Sequence, residues 1–313
     1  MLRRVNSQVR RGIRYWPVIL SSAAALVPVA MLLAVIVLIV KGSLLALDYV
    51  GFHDMLFTGK FSATFTNPPY SYGLLGAIWA TMILLAVSML IAIPTSLALA
   101  VFATEFPETF WGRRIREALG VLAGIPPVVY GLVAVLFLSR IFAIPDFSTL
   151  TGGILLALLV IPFMAPLVDD ALQNAPNELK EASLALGATR WYTLKNATLP
   201  AAFPGIVSAV ALGSLKAMGD VIIIIFAVGY VPYLPSPLWD ITGRGAPLTS
   251  AGAGLAGSFS RGGAPILPES QAWLESSVGY FSALILLAMA IAVLCLLSIL
   301  QWRSGRLQKT AAE

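Results

Sequence analysis

Six apolar runs, each near the length that crosses a bilayer, govern what this chain can fold into: Pro17–Val40, Leu74–Ala103, Leu119–Ser139, Gly152–Val168, Gly205–Gly229 and Tyr280–Leu300. A spanning helix needs about 20 mostly apolar residues, because in lipid it must satisfy its backbone hydrogen bonds internally. The runs are continuous, as in Met31–Val40, and lack the alternation of a membrane barrel strand. The expected fold class is therefore an all-α membrane protein with six transmembrane helices. Composition closes the water-soluble alternative, since 11% of the 313 residues are charged where soluble domains average about 25%. The first run follows Arg3, Arg4, Arg10, Arg11 and Arg14. It exceeds the ~7–15 apolar residues of a secretory signal and reads as a retained helix.

Basic residues set the orientation, because Lys and Arg stay preferentially on the cytoplasmic side. Fourteen lie in the tail and in alternate connections, at Arg113, Arg114, Arg116, Lys180, Arg190, Lys195, Arg303, Arg306 and Lys309 besides the five of the tail. Five lie on the other side, Lys41, Lys60, Arg140, Arg244 and Arg261. Both termini are thus expected in the cytoplasm. Residues 1–16 form a basic tail and 17–313 a single membrane domain, with a cytoplasmic loop at 169–204 and an extracytoplasmic loop at 230–279. The net charge of +5 is spread in short runs between apolar stretches, which speaks for topology and against a nucleic-acid partner.

The two long connections differ in character. Residues 230–279 are rich in Gly, Pro and Ser and read as loop with at most a short helix. Asn177–Asn196 instead holds Ala, Leu, Glu and Lys with a single Gly, so a helix starting near Asn177 as cap is expected. Within it runs Glu181-Ala182-Ser183, then Gly187 after three residues, then Ala197-Thr198-Leu199-Pro200 after nine. This spacing resembles the EAA signature of ABC importer permeases, with Ser183 and Ala197 departing from it.

The resemblance implies the type I permease architecture, a turn at Gly187 between two short helices, and docking of Glu181, Ala182, Ser183, Gly187, Leu199 and Pro200 against a cytoplasmic ATPase. Ile125-Pro126-Pro127-Val128-Val129-Tyr130-Gly131 and Lys216-Ala217-Met218-Gly219-Asp220 narrow the likeness to the permeases of high-affinity phosphate importers, over roughly Tyr72 to Tyr230. Those relatives carry Ser in place of Pro127, Arg in place of Lys216 and Glu in place of Asp220. The family further implies two cytoplasmic ATPase subunits that hold ATP and Mg, a second permease chain, an extracytoplasmic phosphate-binding protein and a place in the cell (inner) membrane. The chain itself is expected to bind no cofactor and to be no enzyme, as it lacks G-x-x-x-x-G-K-[ST].

Lys216 and Asp220 are the ionisable pair inside a span, and each costs about 2.5–3.5 kcal/mol near the bilayer centre. Four residues apart on one helix they can touch, as a self-neutralising pair or as an anion site. Tyr130 is a further candidate for the pathway, or a packed Tyr with a partnered hydroxyl. Pro94, Pro126, Pro127, Pro162 and Pro166 are expected to interrupt helices, as hinges or as static kinks. His53 has no Cys nearby and carries no metal site, and Gly252–Gly257 follows no strand and carries no dinucleotide site. A permease for molybdate or sulfate, or a gradient-driven carrier using Asp220, are the alternative functions.

Overall fold

The computed structural model describes residues 2–59, 61–62, 71–133, 136–137, 148–229, 234–243, 245–255 and 272–310. Five helices among them are long and apolar enough to cross a membrane, with their apolar stretches at Ala25–Val50, Leu75–Glu105, Thr149–Gln173, Arg190–Gly219 and Ser276–Arg303. The chain runs α1 (Leu2–Val50), α2 (Phe52–Phe57), α3 (Leu75–Glu105), α4 (Phe110–Ala123), α5 (Pro127–Val133) and α6 (Thr149–Gln173). There follow α7 (Asn177–Ala185), α8 (Arg190–Thr193), a π-turn (Leu194–Thr198), α9 (Leu199–Gly219), α10 (Ile222–Ala227), α11 (Leu248–Leu255) and α12 (Ala272–Thr310). A two-residue antiparallel ladder pairs Phe61 with Tyr72 and Ser62 with Ser71.

The core is built on close approach of small residues. Ala77, Ala80, Leu84, Ser88, Ala92, Ser96, Ala100 and Ala103 recur every three or four residues of α3, forming one buried face. Against it lies α6, where a Cβ added to Gly153 would sit 2.5 Å from Val87 Cγ1. α9 presents Ala202, Ala209, Gly213 and Ala217 on its buried side and packs on α6. In lipid no hydrophobic force draws helices together, so such short approaches supply the packing. At the opposite edge, α1 packs on α12, and α11 lies against α12. The loop 234–243 caps the α3–α6 end: Leu150 N and Thr149 N donate to Ile241 O and Gly243 O at 2.8 and 3.1 Å, and Trp79 Nε1 to Leu238 O at 2.8 Å. The first two satisfy backbone N–H groups that the first turn of a helix leaves free.

Three expectations change. The third apolar run is not one helix, because the chain breaks at Gly124–Pro126 between α4 and α5; Pro127 starts the new segment, where a missing N–H costs nothing. The fifth run breaks as well, α9 ending at Gly219 and Asp220 taking an extended conformation (φ −83°, ψ 109°) before α10. Pro94, Pro162 and Pro166 lie inside continuous helices and do not interrupt them. Lys60, Arg140, Arg244 and Arg261, residues 134–135 and 138–139 of the third run, and the end of the Gly252–Gly257 motif lie outside the described residues.

Candidate functional site

The segment that resembles the EAA signature has the helix–turn–helix shape that the resemblance implies. α7 begins after Pro176, whose fixed geometry starts the helix; Asn177 is its first residue and not its cap. The helix ends at Leu186, and Gly187 takes φ +84°, a left-handed conformation that an L side chain adopts at a cost. Thr189 then caps α8, its Oγ1 accepting from Tyr192 N at 3.3 Å. Ser183 Oγ meets Thr193 Oγ1 at 2.8 Å, closing the two helices across the turn. Where the EAA signature has Ala, this chain thus uses a hydroxyl internally.

Glu181, Ala182 and Gly187 are exposed, Ser183 and Leu199 half-buried and Pro200 exposed. The apolar surface beside them escaped sequence reasoning: Leu186 is 90% exposed, Trp191 70% and Tyr192 59%. Three large apolar side chains of this segment thus lie on the surface of the chain. Their type and their place in a loop of charged character could have signalled it.

The two intramembrane charges lie where α9 ends. The helix ends at Gly219, and Asp220 is its C-cap in an extended conformation. Asp220 is buried and its Oδ1 accepts from Ile223 N at 2.9 Å, starting the next helical turn. Half-buried Lys216 lies in the last turn of α9, where a cation faces the negative end of the helix dipole. Among the described residues Lys216 joins none of the ion pairs, which are His53–Asp54, Arg114–Glu117, Arg116–Asp169 and Lys180–Glu105. Tyr130 donates its hydroxyl to Leu122 O at 2.9 Å, sewing α5 to α4 across their break. It packs on the cluster holding Ile223 and Ile224, which places it in the region that follows Asp220.

Residues 92–309 match the family described as binding-protein-dependent transport system inner membrane component. The chain belongs to this family. It is a multi-pass inner-membrane permease of the ABC importer kind, and the matched residues take in α6 to α9 with the whole coupling segment. A probable ABC transporter permease protein, YqgH of Bacillus subtilis (strain 168), is 31% identical over 228 residues, 71% of this permease and 74% of the relative. The phosphate transport system permease protein PstC of Xylella fastidiosa (strain 9a5c) is 29% identical over 304 residues, 88% of this permease and 85% of the relative. Among solved structures, a bacterial ABC transporter involved in import of the acidic polysaccharide alginate has a TM-score of 0.60 at 17% identity, covering 94% of this permease and 98% of that chain. The MetNI methionine ABC transporter has a TM-score of 0.55 at 18% identity, covering 74% and 95%. At such identities the structures establish the type I permease fold.

Proposed function

We propose that this permease is the membrane-spanning subunit of an ATP-driven phosphate importer. The observation that carries the substrate is the likeness to PstC, at 29% identity over 88% of this chain. A stretch of that length takes in both the coupling segment and the Lys216–Asp220 region. ATP and Mg belong to two separate cytoplasmic ATPase subunits, which seat on the coupling segment here and on that of a second, different permease chain. Glu181, Ala182, Ser183, Gly187, Leu199 and Pro200 shape that seat, with Leu186 and Trp191 as its apolar contacts. A phosphate-binding protein delivers the anion from outside, and both termini of this chain lie in the cytoplasm.

Phosphate at neutral pH still carries a proton, whereas sulfate and molybdate are acceptors. Lys216 supplies the attracting charge on the pathway, and Asp220 accepts the remaining O–H through Oδ2, since Oδ1 is taken by Ile223 N. A fully deprotonated anion meets repulsion from the carboxylate. Tyr130 borders the same stretch and holds its broken helix in place. The test is uptake of labelled phosphate, with and without excess sulfate, by vesicles holding the complete transporter. Lys216→Gln should cut uptake by at least about tenfold, equivalent to ~1.4 kcal/mol, and Asp220→Asn should let sulfate compete. Wild-type uptake by Lys216→Gln removes the pathway role, and equal transport of sulfate by the unaltered protein transfers the substrate assignment to another oxyanion.

A further inference from the structure

The helix ends nearest the coupling segment are tied together by polar contacts at one level. Arg116 of α4 meets Asp169 of α6 at 3.2 Å and also donates to Ala103 O of α3 at 3.0 Å. Thr104 of α3 donates to Asp169 Oδ1 at 2.5 Å. These contacts join α3, α4 and α6 to one another and leave out α7. The ion pair that links α7 to this group is Lys180 Nζ to Glu105 Oε1, at 2.9 Å.

That pair is placed where it has few helpers. α7 buries none of its residues. Beside it a cleft of about 460 Å³ opens between the α3–α4 turn at Phe106–Thr109 and the coupling residues Leu184, Arg190 and Thr193, so side chains do not fill the space around the pair. Glu105 is the last residue of α3, with its side chain 9% exposed, while that of Lys180 is 35% exposed. A carboxylate at a helix C-terminus faces the like-signed end of the dipole. Glu105 therefore depends on Lys180, and removing one partner of a buried pair leaves an uncompensated charge.

We infer that Lys180 and Glu105 are positioning residues through which movement of the coupling segment reaches α3 directly. A displacement of α7 has three routes into the membrane, one of them covalent through residues 174–176 into α6. The second is also covalent, through α8 and the π-turn into α9. The third is the Lys180–Glu105 contact, which reaches α3 directly. With the contact intact α3 follows the segment directly; without it α6 and α9 move with the segment, and α3 follows only through its packing on α6 and lags. The inference rests on the proposed ATPase docking and adds the path beyond it.

The test uses the whole complex in vesicles, with labelled inorganic phosphate inside a binding-protein assay. ATP hydrolysed, phosphate taken up and ATPase retained on purification are measured together. Lys180→Met and Glu105→Gln should keep the ATPase bound and hydrolysing, while phosphate taken up per ATP falls at least about fivefold, the lower end of usual coupling between sites. The charge-swapped double variant Lys180→Glu with Glu105→Lys should recover it, which simple loss of stability would not predict. Unchanged phosphate per ATP in both single variants overturns the inference, as does loss of ATPase binding in Lys180→Met, which would make the pair part of the seat. Should neither single variant insert, the swapped variant decides: recovered phosphate per ATP supports the path, and insertion without recovery overturns it. The docking proposal fails separately, if unaltered permease retains no ATPase.

Discussion

Two sets of membrane helices with similar apolar character occupy opposite environments. In α6 the most apolar stretch is 67% buried inside the chain, while that of α1 is 11% buried and that of α12 0%. Apolar content admits a helix to the membrane, and side-chain size decides its neighbours there. Gly153 brings α6 onto α3 and Gly152 brings it onto Val228, whereas α1 offers Leu26, Met31, Leu32 and Leu38 outward, each more than half exposed. The first set holds the proposed coupling path; the second presents its surface to lipid or to another chain.

Substitution of Gly153 breaks this contrast most severely. Gly153→Leu pushes α3 and α6 apart and should cost about 3 kcal/mol, the upper range for overpacking. Leu33→Ala, on the outward face of α1 at 57% exposure, should stay within about 0.5 kcal/mol. Thermal unfolding of the purified protein in detergent compares the two, and equal shifts would show that the glycine contact does not hold the core.

A glycine of the opposite kind sharpens the comparison. At Gly187 an added Cβ meets nothing within 4 Å, so the cost is purely conformational. Gly187→Val should lose about 1–2 kcal/mol, confined to the turn, leaving the unfolding transition of the core in place while phosphate uptake by the complex collapses. Uptake at the wild-type level, at equal insertion, would free the turn from any coupling role.

The smallest effect is expected at the opposite end of the core. Asp240 Oδ1 accepts from Thr242 Oγ1, Thr242 N and Gly243 N at 2.6, 2.9 and 3.2 Å, and these bonds, the hydroxyl foremost, hold its carboxyl below the usual carboxylate range. A depressed folded pKa means that the contribution is present above the unfolded value, about 3.9, and is lost as pH falls through the folded one. Hydrogen-exchange protection of Thr242 and Gly243 should therefore drop at the acid end in the native protein, and at every pH in Asp240→Ala. Protection independent of both would show that the loop is held by Leu238, Ile241 and Gly243 backbone bonds alone.

Hydropathy and turn chemistry made much of this molecule legible. The second, fourth and sixth runs became helices close to their expected positions, and Gly187 stands at the turn that the EAA spacing marks. The breaks were harder to see, because Ile222–Ile225 continues the apolar count across Gly219 and Asp220 although that dipeptide is a poor helix interior. Pro126-Pro127 likewise sits inside an apolar run that composition alone joins together. Lys180 and Glu105 lie 75 residues apart, and Arg116 and Asp169 lie 53 apart. No local period links such residues; only the tertiary arrangement of α3, α4, α6 and α7 does.

The π-turn at Leu194–Thr198 has a consequence for how such permeases can vary. A π-turn is an α-helix that has taken in one extra residue, and one residue corresponds to about 100° of rotation at 3.6 residues per turn. The joint therefore sets the bearing of the segment before it relative to the spanning helix after it, as a spline sets the angle between two shafts. Gain or loss of a residue there would re-aim one against the other with both helices unchanged in sequence. Length at this joint, more than side-chain identity, therefore sets the bearing of the segment.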